Sequence, residues 1–168
     1  MPRASEDVWK RLKQVVPELE NSLIDEYFVI AGGNFDNAGK VSSRIKAILK
    51  DVDFPRESIR RVALVAYEAE INIVSYARTG FIRLRVAKDR AIIDVIDEGD
   101  GIPDIDLALQ EGYSTATTRI REMGFGAGMG LSNIKNFSDV FYISSDINKG
   151  TYLQMIIFTE NDLPGGRV

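Results

Sequence analysis

Residues 124–136 read GFGAGMGLSNIKN, with glycine at 124, 126, 128 and 130. A helical pattern follows at once, because Leu131, Ile134 and Phe137 recur at near-helical spacing. Glycine tolerates positive φ and lets another group approach the bare backbone. The start of a helix leaves backbone N–H groups without partners, with partial positive charge behind them. The stretch is therefore either a phosphate cradle or a flexible turn that runs into a helix. The residues on either side decide between the two.

Just upstream, residues 111–125 show little apolar periodicity and much Ser, Thr and Gly. A connection of that length in a compact domain is usually functional or disordered. It carries Thr117, Thr118, Arg119 and Arg121, and it feeds straight into the glycines. That placement favours a lid whose arginines meet phosphate over a merely solvated loop. Downstream, the helix expected over about 129–138 gives way to a strand at Val140–Ser144, a turn at Asp146, Asn148 and Gly150, and a last strand at Thr151–Phe158.

Further upstream, Phe81–Ala87 and Ala91–Ile96 read as two strands joined by Lys88-Asp89-Arg90. Ile82, Leu84 and Val86 alternate with Arg83 and Arg85, which predicts an antiparallel hairpin with one covered face. The second strand runs into Asp97-Glu98-Gly99-Asp100-Gly101. That is good turn chemistry. It also places a carboxylate, a pure acceptor, where it can meet an exocyclic amine such as that of adenine. Asp104–Gln110 reads as a short helix.

A longer helix is expected over about 56–77, ended by Gly80, with its core stripe at Val62, Ala66, Ala69, Ile73 and Ala77. Glu68 and Asn72 are four apart and project together, offset from that stripe. They form either a half-exposed polar face or one wall of a cavity. Glu70 lies on a different face, and the sequence alone assigns it no role. Before this helix come a strand at Glu26–Ala31, a turn rich in Gly and Asn, and a helix over about 37–51. The stripe Val8, Trp9, Leu12, Val15, Val16 and Leu19 predicts an N-terminal helix over 5–21, interrupted at Pro17.

Composition narrows the chemistry. The chain has 168 residues, 45% hydrophobic and 27% charged, which is enough for one domain with a real core. It has no cysteine and no histidine, so thiolate chemistry, Ser-His triads and His-based metal sites are excluded. The net charge of −4 argues against nucleic acid as the main partner. No apolar run is long enough to cross a bilayer, and the charged start MPRASEDVWKRLK has no signal-peptide core, so a cytoplasmic location is expected.

The elements interleave helices with strands, which predicts a two-layer α/β sandwich with a mixed, mostly antiparallel sheet and helices on one face. Three polar stations lie on it: Glu68 with Asn72, Asp97–Gly101, and the glycines at 124–130. A micromolar ligand needs about 8 kcal/mol of net binding. A helix terminus contributes only ~0.3–2 kcal/mol per favourable charge. A phosphate cradle alone is too weak, so a base pocket and a cation are needed. Asp97 can supply the first, and the oxygen of Asn72 can serve Mg²⁺, which prefers hard oxygen ligands.

At this point the sequence resembles a family. Glu68-Ala69-Glu70-Ile71-Asn72 is similar to the N box of the GHKL superfamily of ATP-binding domains. Asp97-Glu98-Gly99-Asp100-Gly101 is similar to its G1 box, Gly126-Ala127-Gly128-Met129-Gly130-Leu131 to its G2 box, and Lys149-Gly150-Thr151 to its closing G-T. The order and approximate spacing match over roughly residues 25–160. The small size and the Glu-Ala start of the N box resemble anti-sigma-factor serine/threonine kinases. The segment IVSYA departs from the histidine-containing one that often follows the N box, and an extension over residues 1–24 and a tail over 161–168 flank the boxes.

The resemblance implies a Bergerat fold that binds ATP with Mg²⁺. It implies that Asn72 binds the metal and that Glu68 is the general base toward a protein hydroxyl. Asp97 would bond the adenine amine, supported by Thr151. Gly99 and Gly101 would shape the adenine pocket, and Gly126, Gly128, Gly130 and Leu131 would hold the phosphates. Three functions fit: a kinase acting on Ser or Thr of an anti-anti-sigma-like partner, a non-catalytic module that sequesters a sigma factor or another regulator when ATP is bound, and a stand-alone histidine-kinase-like ATPase domain. A homodimer is compatible with each.

Overall fold

In a computed structural model, which describes residues 21–159, five strands form one sheet in the order β1–β2–β3–β5–β4. The strands are β1 (Ile24–Ala31), β2 (Ala77–Val86), β3 (Arg90–Gly99), β4 (Val140–Asp146) and β5 (Gly150–Phe158). All four pairings are antiparallel, in line with the mostly antiparallel sheet expected. The helices are α1 (Lys40–Asp51), α2 (Arg56–Tyr76), α3 (Ile105–Ala108), α4 (Thr118–Glu122) and α5 (Gly130–Phe137), with a 3-10 turn at Phe35–Asn37. All but the last residue of the helix expected over 5–21, and the tail at 161–168, lie outside the described residues.

The core follows from two periodicities. On α2, Val62, Ala66, Ala69 and Ile73 recur at three and four and are buried. On the sheet, every second residue meets them: Ile82, Leu84 and Val86 on β2, Ile93 and Val95 on β3, and Leu153, Met155 and Ile157 on β5. Ile45, Ile48 and Leu49 bring α1 into the same cluster, and Ile134 brings α5. Burying each such side chain contributes about 1.5–3 kcal/mol.

Two expectations are corrected. Gly80 does not end the long helix. Helix α2 stops at Tyr76, and Ala77 enters β2 directly with extended geometry. Gly80 lies inside that strand beside a register shift, and a Cβ there would come within 2.7–2.8 Å of the Ile73 side chain. Pairing with β1 and β3 outweighs the local preference, and the glycine lets the strand pass under the helix.

The hairpin is also covered on both faces at its centre, not on one. Arg83 and Arg85, read as water-facing, are buried because their charges are matched. Arg83 makes a two-pronged contact with Asp25 at 2.8 and 2.7 Å, and Arg85 pairs with the buried Asp94 at 2.6 Å. The Tyr152 hydroxyl and the Gln154 amide also donate to Asp94, at 3.0 and 2.8 Å. Burial, together with the Asp94 charge, pushes the Tyr152 phenol well above its ordinary range.

Glu70 explains how α1 is set against α2. The α1 N-terminus follows Gly39, which has φ +90° and offers no side-chain cap. Glu70, 1% exposed, reaches across instead. Its Oε1 accepts from the N–H groups of Gly39 and Val41 at 3.0 and 3.1 Å, and its Oε2 from that of Ser42 at 2.9 Å. A carboxylate from another helix thus satisfies the orphan donors and complements the dipole.

Candidate nucleotide site

The other flank of α2 carries Glu68 and Asn72, one turn apart. Helix α5 begins directly above them. A Cβ added to Gly130 would lie 3.3 Å from Asn72 Oδ1 and 3.4 Å from Glu68 Oε2. Three of the expected site residues therefore converge at this end. Asn133, one turn into α5, donates from Nδ2 to Glu68 Oε1 at 2.9 Å. No side chain caps the start of α5, so its first N–H groups keep donor capacity, with the positive end of the helix dipole behind them. Arg61 fastens the far end of α5 to α2, donating to Phe137 O at 3.2 Å and pairing with Asp139 at 2.7 Å.

Asp97 sits at the end of β3, opposite Gly80. Its Oδ1 accepts from the N–H groups of Gly99 and Thr151, at 2.9 and 3.2 Å. Its Oδ2 accepts no hydrogen bond within the described residues. Burial raises the Asp97 pKa above the ordinary carboxylate value, and the two backbone bonds pull the other way without cancelling it.

The turn after Asp97 is packed backbone to backbone against the β4–β5 turn. Gly150 has φ +104°, and a Cβ on it would fall 1.9 Å from Asp97 O. At Gly101, with φ +78°, the nearest atom would be Asp146 O at 2.3 Å. The Thr151 hydroxyl meets that of Ser145 at 2.9 Å, while Ser145 Oγ accepts from Ile102 N–H at 2.8 Å. Thr151 thus supports Asp97 through its backbone and braces the turn through its side chain.

The two ends are strung along α2. A Cβ at Gly99 would lie 3.0 Å from both Asp97 Oδ1 and Tyr76 O, so Asp97 meets α2 one turn beyond Asn72. Beside this junction opens a cavity of about 760 Å³, walled by Gly32 and Gly33, residues 74–78, residues 98–100 and the loop at Thr115–Ile120. Gly99 is the expected site residue on that wall; Glu68, Asn72 and Asp97 are not part of it. The hydroxyl of Ser75 is buried there without a hydrogen-bond partner.

The loop itself is folded. Thr117 caps α4 by accepting from Ile120 N–H at 3.4 Å, and Phe125 stacks on Phe35 at 5.5 Å. Arg119 lines the cavity, whereas Arg121 donates to Ala116 O at 3.2 Å and so turns back into the loop. Gly126 and Gly128 serve the same folding. A Cβ at Gly126 would come 2.2 Å from the Ala116 side chain, and one at Gly128 would come 2.5–2.7 Å from the backbone of Gly112 and Tyr113. Of the three glycines, Gly130 alone faces Glu68 and Asn72. Leu131 packs against the core.

The residues present fit an adenine nucleotide. A half-buried carboxylate keeps one oxygen without a donor, an uncapped helix start stands over an amide oxygen and a carboxylate, and a cavity opens beside the Gly99 turn that follows the first. Asn133 and Ser145 were not foreseen. Asn133 lies inside the glycine-led stretch that opened the sequence reading, but its contact with Glu68 spans 65 residues and leaves no local signal.

An antiparallel sheet packed against helices, with Glu68 and Asn72 on the longest helix and Asp97 and Gly130 brought beside it, has the layout of a nucleotide-binding domain. A family described as "Histidine kinase-, DNA gyrase B-, and HSP90-like ATPase" matches residues 57–161, more than half of the chain, and the chain belongs to it. It is 34% identical over 99 residues to the anti-sigma F factor of Caldanaerobacter subterraneus subsp. tengcongensis, covering 59% of this chain and 62% of that protein. Against the serine/threonine-protein kinase RsbT of Bacillus subtilis it is 31% identical over 113 residues, 65% of this chain and 79% of the kinase. An anti-sigma F factor of Clostridium kluyveri is 27% identical over 141 residues, 81% of this chain and 93% of that protein. Within the ATPase family the chain thus sits in the branch that holds anti-sigma factors and this kinase. Membership carries ATP binding with it. Among the described residues, no helix is long and apolar enough to cross a membrane.

Proposed function

We propose that this protein is a cytoplasmic anti-sigma-type regulator that uses Mg-ATP to phosphorylate a serine or threonine of a partner protein of the anti-anti-sigma kind. The observation that carries the reading is the meeting of Glu68, Asn72 and the start of α5 at Gly130. When bound, Mg-ATP supplies a phosphoryl group activated for transfer. Asn72 offers its Oδ1 to the magnesium ion. Glu68 Oε2 would orient the partner's hydroxyl and take its proton as the new O–P bond forms and the bond to the departing ADP oxygen breaks. Asp97 Oδ2 accepts from the adenine amine, with Thr151 N–H fixing the carboxylate and Gly99 and Gly101 giving the base room. The backbone N–H groups around Gly126–Leu131 would hold the phosphates. Catalysis on this reading is positioning and charge stabilisation, with little covalent work for the protein.

The test has two parts. Calorimetry with Mg-ATP should give binding that Asp97→Asn weakens at least ~10-fold, because a second donor then faces the amine. Phosphosite mapping of the protein that co-purifies with the chain in the presence of ATP should find a modified Ser or Thr, made by wild type and not by Glu68→Gln. Equal transfer by Glu68→Gln would remove Glu68 as the base. A partner that binds in the presence of ATP and is never phosphorylated would leave a binding module that sequesters a regulator.

A further inference from the structure

We propose that Asn133 is a positioning residue for Glu68, holding its carboxylate so that Oε2 faces the start of α5; the role rests on the reading of Glu68 as the base. One hydrogen bond and one bare glycine on the same face of α5 define the orientation. Asn133 Nδ2 donates to Glu68 Oε1 at 2.9 Å, and three residues earlier Gly130 stands where a Cβ would be 3.4 Å from Glu68 Oε2. Residues three apart share a helix face, so a single rigid element addresses both oxygens.

That element is anchored. Arg61 holds its far end through Phe137 O and Asp139, and Ile134 is fully buried against the core. Asn133 is therefore presented from a fixed support, whereas an unheld glutamate on a helix flank samples several rotamers. The choice of an amide has its own logic. A carboxylate accepts only, so the amide must present its NH₂ group. A neutral donor fixes the base without the charge of a lysine or arginine, which would lower its basicity and repel a magnesium ion at Asn72. A base must stand within hydrogen-bond reach of its proton, and a displacement of about 1 Å costs on the order of 10²-fold.

The arrangement also ties the loop to the chemistry. Residues 124–129 lead directly into α5, so a shift of the loop that moves α5 moves Asn133, and with it Glu68.

Three measurements test this. In nucleotide-free, ¹⁵N-labelled protein the side-chain amide peaks of Asn133 should move in Glu68→Ala and stay in place in a Glu57→Ala control. Single-turnover transfer to the co-purified partner should fall about 10–100-fold in Asn133→Leu. The Kd for Mg-ATP should stay within about threefold of wild type, because Asn133 acts on the base and not on binding. In a Glu68→Gln background, Asn133→Leu should add less than about threefold, since it acts through that side chain. Asn133→Asp, which removes the donor and adds a like charge, should lose at least as much as Asn133→Leu, and thermal melts establish that both fold. Wild-type transfer by folded Asn133→Leu beside a dead Glu68→Gln overturns the positioning role alone. An equal loss with and without Glu68 overturns it as well. A fully active Glu68→Gln removes the base, and the amide spectrum then reports whether the contact exists apart from any role.

Discussion

Helix α2 carries two glutamates two residues apart, and its two flanks treat them differently. Toward α1, Glu70 is buried and receives three backbone N–H groups, so both its oxygens are engaged. Toward α5, Glu68 receives one side-chain amide on Oε1, and its Oε2 faces the space beside Gly130. A carboxylate with its acceptor capacity filled by backbone is part of the framework. One that keeps capacity facing a helix start and an amide oxygen is equipped to receive something else. The difference comes from the neighbours: α1 brings three backbone donors within reach of Glu70, while α5 brings Glu68 one side-chain amide and a bare glycine.

The sharpest way to break this comparison is to mutate both acids and read two quantities. Glu68→Gln should lower phosphoryl transfer by ~10²–10⁴-fold, equivalent to about 3–5 kcal/mol in the barrier, and leave the melting temperature nearly unchanged. Glu70→Ala should do the reverse. It leaves three N–H groups at the α1 start without their acceptor, at a cost of about 3 kcal/mol. For a domain of this size that lowers the melting temperature by roughly 6–12 °C. Transfer by the folded fraction should persist. A Glu70→Ala protein that is stable but inactive would show that the two flanks are not separable in this way.

The glycines sharpen the same distinction between framework and site. At Gly128, φ is +77° and the neighbouring backbone leaves no room for a Cβ. Gly128→Ala should therefore destabilise the loop by about 1–3 kcal/mol, measured by urea unfolding. At Gly130 the φ is an ordinary helical one, and the nearest atoms are the ends of the Asn72 and Glu68 side chains. Gly130→Ala should keep the fold, with a change within about 1 kcal/mol of either sign. Its methyl group occupies the space between α5 and those side chains, so the affinity for Mg-ATP should fall. Loss of stability in Gly130→Ala without loss of affinity would place this glycine with the framework.

How much of this could be read from the chain alone depended on sequence distance. The boxes were legible because each is local: Glu68 and Asn72 are one turn apart, Asp97 stands two residues before a glycine, and the glycine run leads straight into a helix. Hairpin geometry yields the β2–β3 and β4–β5 pairings, but β1–β2 and β3–β5 join strands that are distant in sequence. What stayed hidden were contacts between distant segments. Arg83 and Arg85 looked solvent-facing until Asp25 and Asp94 were placed beside them. The boundary at Gly80 was misplaced because strand pairing overrode the usual meaning of a glycine after a helix. Glu70 had one available signal. Helix α1 starts after a glycine with no Ser, Thr or Asp to cap it, so its orphan donors required an acceptor from elsewhere.

The smallest expected effect concerns Asp97, which belongs to both framework and site. Its Oδ1 is held by two backbone donors, while its Oδ2 accepts no hydrogen bond within the described residues, and the side chain as a whole is half-buried. Desolvation dominates, so the folded pKa lies above the unfolded value. The native state then binds more protons than the unfolded state between those two values. Stability from this group is present at low pH and is lost as pH rises through the window. Asp97→Asn keeps the Oδ1 acceptor and removes the charge. The difference in unfolding free energy, variant minus wild type, should grow in the variant's favour from about pH 4 upward and level off once Asp97 is fully ionised. Urea unfolding of both proteins across that range measures it, and every other carboxylate cancels in the difference. Parallel pH profiles would mean that Oδ2 is as well solvated as in the unfolded chain. A rising advantage for the asparagine variant would mean that the fold keeps a buried acceptor at some cost to its own stability, which is what a pocket built for a donor-bearing ligand requires.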